Sequence, residues 1–89
     1  MLDSKLLKYK QNYYKRFYII LTDYLPPNVL GMTDCKGKIW IKRLYGYLRE
    51  KVLKHEILHN LFPEANEYEI EKLTESFPIK LSDLNLIFL

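Results

Sequence analysis

The two histidines of this chain stand four positions apart, in the run His55-Glu56-Ile57-Leu58-His59. On a helix, positions four apart lie on one face a turn apart, so both imidazoles can reach a single ion. Glu56 is rotated about 100° around the helix axis from His55. That sets its carboxylate beside such an ion rather than on it, where it can take a proton from an activated water without occupying a ligand position. The chemistry such a group serves is hydrolysis. The bland alternative is a metal-free cluster of two core histidines and a buried glutamate bonded to each other. Three polar groups on a buried helix are costly without a partner such as an ion, which favours the metal.

A tetrahedral zinc ion of catalytic type takes three protein ligands and leaves the fourth position open. No third histidine exists, so a carboxylate or Cys35 must serve. The stretch Glu64-Ala65-Asn66-Glu67-Tyr68-Glu69-Ile70-Glu71 offers four glutamates. Glu64 follows a proline in a loop, and Glu69 is expected to be engaged in a helix cap. Glu67 opens the next helix, and Glu71 lies one turn further along the same side. The residues alone leave the choice among them open. Tyr45, Tyr47 and Tyr68 are available to stabilise a developing oxyanion, although a place in the core is the expectation for each.

Holding these residues requires a scaffold, and the pattern supplies an α+β one. Leu6, Leu7, Tyr13 and Tyr14 at helical spacing predict a first helix over 4–15, capped by Asp3 or Ser4. The β-branched and aromatic run 16–22 reads as a strand, ended by Pro26 and Pro27. Residues 29–33 and 38–43 flank Asp34-Cys35-Lys36-Gly37, which predicts a hairpin with Ile39 and Ile41 alternating against Lys38, Trp40 and Lys42. The expected sheet is three-stranded and mostly antiparallel. Over 44–61 the pattern turns helical, with Leu48, Val52, His55 and His59 on one side and Leu53, Ile57 and Leu61 on the other. A helix apolar on two sides is expected to be buried between layers. Pro63 stops it. Asn66 with Glu69 forms a capping-box signature for a helix over 67–76, with Ile70, Leu73 and Phe77 as its core stripe.

Eighty-nine residues suffice for one domain, 1–89, with no second core. Nearly half the chain is apolar, enough for a packed core. Net charge is +3, divided into +8 over residues 1–54 and −5 over 55–89. The lysines are scattered rather than blocked together, so a solvated basic surface is expected and not a nucleic-acid partner. The acids gather just after the histidines. No apolar run approaches the roughly 20 residues of a membrane span, and the start has no signal-peptide pattern. Cys35 stands alone, so no intrachain disulfide forms, and a cytoplasmic location is expected.

HEILH followed by a helix opening Asn66-Glu67 resembles the gluzincins, the thermolysin-like tribe of zinc peptidases. The element order before the motif is similar to that family's upper half-domain, over about residues 16–77. The resemblance implies a small zincin-like domain and a zinc-dependent peptidase acting on peptide or protein substrates. It implies His55, His59 and Glu67 as ligands of one zinc ion, Glu56 as general base, and Glu71 as the acid that orients a zinc-binding histidine. The gap from His59 to Glu67 is shorter than in thermolysin itself, and Glu71 stands where that pattern has aspartate. A zinc-binding regulatory or interaction module without peptidase activity is the alternative.

The tail over 78–89 is too apolar for a free terminus, with Leu81, Leu84, Leu86, Ile87, Phe88 and Leu89. A last strand or short helix completing the core is expected. The sharper reading is a latency segment that occupies the cleft, as in a zymogen, or swaps into a second copy to form a homodimer.

Overall fold

The computed structural model describes residues 16–78 and 80–89; the helix expected over 4–15 lies outside them. Four strands and two helices follow: β1 (Arg16–Leu21), β2 (Gly31–Thr33), β3 (Lys38–Ile41), α1 (Gly46–Leu61), α2 (Glu67–Ser76), a 3-10 turn at Leu81–Asp83, and β4 (Asn85–Phe88).

The sheet is mixed, in the order β2-β3-β1-β4. This corrects the expectation of three mostly antiparallel strands. β1 runs parallel to both its neighbours, with Ile19 opposite Ile39 on one side and Phe88 on the other. Only the hairpin pair β2–β3 is antiparallel. The cause lies after β1. Pro26 and Pro27 prevent a tight return, so the chain crosses to the far edge before entering β2. The hairpin then lays β3 against β1 in the same direction. A parallel pair needs such a long connection, and here the connection contains a strand of its own.

The hairpin turn is built by its residue types. Asp34 Oδ1 accepts from the backbone N–H of Lys36 at 2.7 Å and of Lys38 at 3.1 Å. Cys35 and Gly37 take φ of 57° and 100°. A Cβ at Gly37 would also come to 3.0 Å from the Arg16 carbonyl oxygen, so glycine is needed there for both conformation and space.

Phe17, Ile19, Ile39 and Ile41 project from one sheet face and are fully buried. Leu53, Ile57, Leu58 and Leu61 of α1 and Ile70, Leu73 and Phe77 around α2 complete that core. Among the described residues, the helix α1 is therefore not sandwiched between layers. Leu53, Ile57 and Leu61 form its buried side, whereas Leu48, Val52, His55 and His59 remain partly or well exposed. Its second apolar side borders an open groove. Pro63 ends α1, and the Asn66 capping box starts α2, with Glu69 N–H donating to Asn66 Oδ1 at 2.9 Å and Asn66 N–H to Glu69 Oε1 at 3.1 Å.

The tail joins the sheet. Leu84 is buried in the core, Leu81 and Leu86 pack against it, and β4 pairs with β1. It occupies the sheet edge opposite β2, so it does not cover the groove beside β2. Leu81, Leu84 and Leu86 are accounted for by the core, whereas Ile87, Phe88 and Leu89 stay exposed. No described helix is long and apolar enough to cross a membrane.

Candidate metal centre

The two histidines project from the third and fourth turns of α1, and the capping box brings the first residue of α2 opposite them. His55 Nε2 lies 2.9 Å and His59 Nε2 2.6 Å from the same Glu67 oxygen, Oε1. The rings approach edge to face with centroids 4.9 Å apart. Among the described residues this is the group of histidine, cysteine and carboxylate side chains placed to hold a metal ion, its ligand atoms all within 4.8 Å of one another.

The donor chemistry fits an ion such as zinc. Two imidazole nitrogens and one carboxylate oxygen suit a borderline-soft divalent metal, whereas calcium and magnesium prefer oxygen alone. Tetrahedral bonds of about 2.0–2.1 Å would set the ligand atoms roughly 3.3 Å apart. To meet that spacing the Glu67 oxygen would withdraw by some tenths of an ångström, its side chain being 62% exposed, and the two imidazole nitrogens, within 4.8 Å of each other, would draw closer together.

Partial desolvation raises the Glu67 carboxyl, but hydrogen bonds from His55 and His59 and their charges outweigh it, leaving it below the ordinary range. Glu56 moves the other way. It is 7% exposed, and burial raises its carboxyl despite the opposing influence of His55 and His59; the nearby Glu67 adds to the rise. Its carboxylate makes no hydrogen bond to any described side chain and lines the groove together with His55 and Glu67.

That groove runs between β2 and α2. Leu30 and Gly31 form one wall, Leu48 and Val52 the floor from α1, and Glu71 and Glu75 the other wall. Gly31 is the point of closest approach: a Cβ there would lie 2.8 Å from Val52 Cγ1 and 3.1 Å from Glu56 Cγ. Glycine lets the strand reach the glutamate.

Of the other candidates from the sequence, Glu69 is engaged in the cap and Glu64 lies exposed in the turn before it. Cys35 is exposed in the hairpin turn, outside the cluster. Glu71 lines the groove, but no hydrogen bond or ion pair joins it to either histidine. The side-chain atom beside the outer nitrogen of His55 is instead Thr74 Oγ1, 3.5 Å from Nδ1. Tyr45, Tyr47 and Tyr68 are not in the core but exposed, and none lines the groove.

Two contributors escaped the sequence reading. Thr74 lies seven residues after Glu67, about two turns along the same face; a search confined to acids passes over it. Asn60 follows directly after HEILH. It is 3% exposed, accepts from Gly37 N–H at 2.8 Å, and donates to Thr33 Oγ1 at 2.7 Å and to the Glu56 carbonyl at 2.9 Å. It ties the site helix to both ends of the hairpin turn. No family model, curated protein or solved structure matches the chain.

Proposed function

We propose that this chain is a minimal zinc-dependent metallopeptidase of gluzincin-like, zincin-type build. The observation that carries the reading is the meeting of His55, His59 and Glu67 next to a buried Glu56 whose carboxylate is unpaired among the described residues, at a groove bordered by β2, an edge strand of the described sheet. Three protein ligands with one position left open is the pattern of a catalytic rather than a structural zinc site.

A zinc ion held by His55, His59 and Glu67 would supply a Lewis acid for the scissile carbonyl and acidify the attacking water. Glu56 has the remaining role. Its side chain faces the groove without a competing partner, so it removes the proton from the attacking water and delivers it to the leaving amine. Burial raises its carboxyl, which makes the carboxylate a stronger base toward that water in the first half of the cycle.

The strand β2 offers the means of holding a peptide. Leu30 carbonyl and Asp34 N–H bond inward to Lys42 and Lys38. By antiparallel alternation the backbone groups of Gly31 and Thr33 then point away from β3, toward the free edge. A peptide laid along that edge is bound as an added strand, and its register at Gly31 sets it close to Glu56. The apolar side chains Leu30, Leu48 and Val52 provide area for its side chains.

The test is a comparison of metal content and peptide hydrolysis. Purified protein is expected to bind one zinc per chain and to lose hydrolysis on chelation and regain it with zinc. A protein that binds zinc but hydrolyses no peptide or protein across a broad set supports the regulatory-module alternative.

A further inference from the structure

We infer that Thr74 is a positioning residue for the metal centre: it accepts the Nδ1 proton of His55 and so presents Nε2 of that ring bare to the ion, in the role the sequence resemblance had assigned to Glu71. The inference rests on the metal-site reading above.

The argument starts from the threonine's own hydrogen bonds. Thr74 is 8% exposed, and its hydroxyl donates to the Ile70 carbonyl, one turn back, at 2.7 Å. A hydroxyl has a single proton. With that proton committed to Ile70, Oγ1 can only accept from its second neighbour, His55 Nδ1, which lies at 3.5 Å, the long limit of such a contact. The ring nitrogen facing it must then be the donor, N–H. A neutral imidazole with its proton on Nδ1 has a lone pair on Nε2, and here that nitrogen points at Glu67 Oε1.

This arrangement is informative about what belongs between them. A bare nitrogen facing a carboxylate oxygen at 2.9 Å is repulsive, and either a second proton on the ring or a metal ion bound to both atoms relieves it. With a metal there, all the groups agree: Nε2 coordinates, Nδ1–H donates outward, and the threonine passes the bond on to the helix backbone. Ligating histidines are commonly fixed in this way by an acceptor on the far nitrogen. A hydroxyl polarises the ring less than a carboxylate does, so its contribution lies chiefly in orientation and tautomer.

The experiment uses the full chain with zinc alone as the probe, its affinity read by competition with a chromophoric chelator. Thr74→Val preserves shape and removes the acceptor; Thr74→Ser preserves the acceptor. Thr74→Val is expected to weaken zinc binding about tenfold, the lower end of what loss of such a partner costs. Thr74→Ser is expected to stay within a fewfold of the parent, and Glu71→Gln to be unchanged. In the zinc-loaded parent, the His55 Nδ1 proton is expected to be visible by NMR and protected from solvent exchange. That reading requires no variant and so stands even if Thr74→Val fails to fold.

Equal zinc affinity in Thr74→Val, equal losses in the Val and Ser variants, or a rapidly exchanging Nδ1 proton would each overturn the role of Thr74 while leaving the metal site intact. A parent protein that binds no zinc overturns both readings together.

Discussion

Gly31 of β2 and Glu56 of α1 meet with no room for a side chain between them: a Cβ on residue 31 would stand 3.1 Å from Glu56 Cγ and 2.8 Å from Val52 Cγ1. The edge strand and the proposed base are thus one mechanical unit. Gly31→Val is expected to push β2 away from α1, costing about 1–3 kcal/mol of stability. Because the metal ligands sit on α1 and α2, zinc stoichiometry should hold while peptide turnover falls at least tenfold. Thermal unfolding, metal analysis and turnover together check this, and undiminished turnover would separate β2 from substrate binding.

Glu56 makes a prediction about both rate and stability. Glu56→Gln should keep zinc and abolish hydrolysis, since an amide cannot take the proton. The same change bears on the metal-free fold. A carboxyl whose folded pKa is raised favours folding while protonated, and that contribution is lost as pH rises from the ordinary value of 4.5 through the raised one. Metal-free Glu56→Gln should therefore unfold at a higher temperature than its parent at pH 7, with the gap shrinking on acidification toward pH ~4. A gap that widens on acidification has the wrong sign for a desolvated carboxylate.

Glu67 behaves oppositely. Its lowered carboxyl gives stability that is present above the ordinary value of 4.5 and lost as pH falls through the lowered one. Because the residue is well exposed the stability effect is small, and the decisive measurement is metal binding. Glu67→Ala should weaken zinc binding by at least a hundredfold, whereas Glu71→Ala and Glu64→Ala should leave it unchanged. Loss of zinc in Glu71→Ala instead would move the third ligand one turn along α2.

The parts of this site that were legible in the sequence are those fixed by local spacing. HEILH announces two imidazoles on one helical face, and Asn66 with Glu69 announces the helix start that carries Glu67. The cap's hydrogen bonds join residues three apart, so the local sequence contains both partners. What was missed depends on segments far apart in the chain. The Thr74–His55 contact spans nineteen residues and the Asn60–Gly37 bond twenty-three. Strand direction was missed for a similar reason. The alternation of Phe17 and Ile19 or Ile39 and Ile41 identifies the buried face, but it is identical for parallel and antiparallel neighbours. The two-sided apolar pattern of α1 was misread as burial because a groove and a core ask for similar side chains.

Asn60 tests how far that hidden bracing matters. Replacing it by alanine removes three hydrogen bonds and strands the Gly37 N–H, which sits in the turn joining β2 to β3. Asn60→Ala is expected to cost about 2–4 kcal/mol, because buried polar groups lose partners rather than merely exchanging them. Urea unfolding of the metal-free protein measures it directly. A cost below about 0.5 kcal/mol would mean that water replaces the side chain.

The tail gives the prediction with the largest expected effect. A chain ending at Phe77 loses Leu81, Leu84 and Leu86 from the core, and with β4 it loses the pairing along one side of β1. Burying an apolar side chain of this size contributes about 1.5–3 kcal/mol, and a small domain has only about 5–15 kcal/mol in total. Removing three therefore consumes much or all of its stability. The bared β1 edge, flanked by Phe17 and Ile19, also becomes a template for pairing with other chains. The truncated protein is expected to be unfolded or aggregated by circular dichroism and gel filtration, with no gain in hydrolysis. A soluble fragment with raised activity would instead make the tail a latency segment and require β4 to leave the sheet without loss of the core.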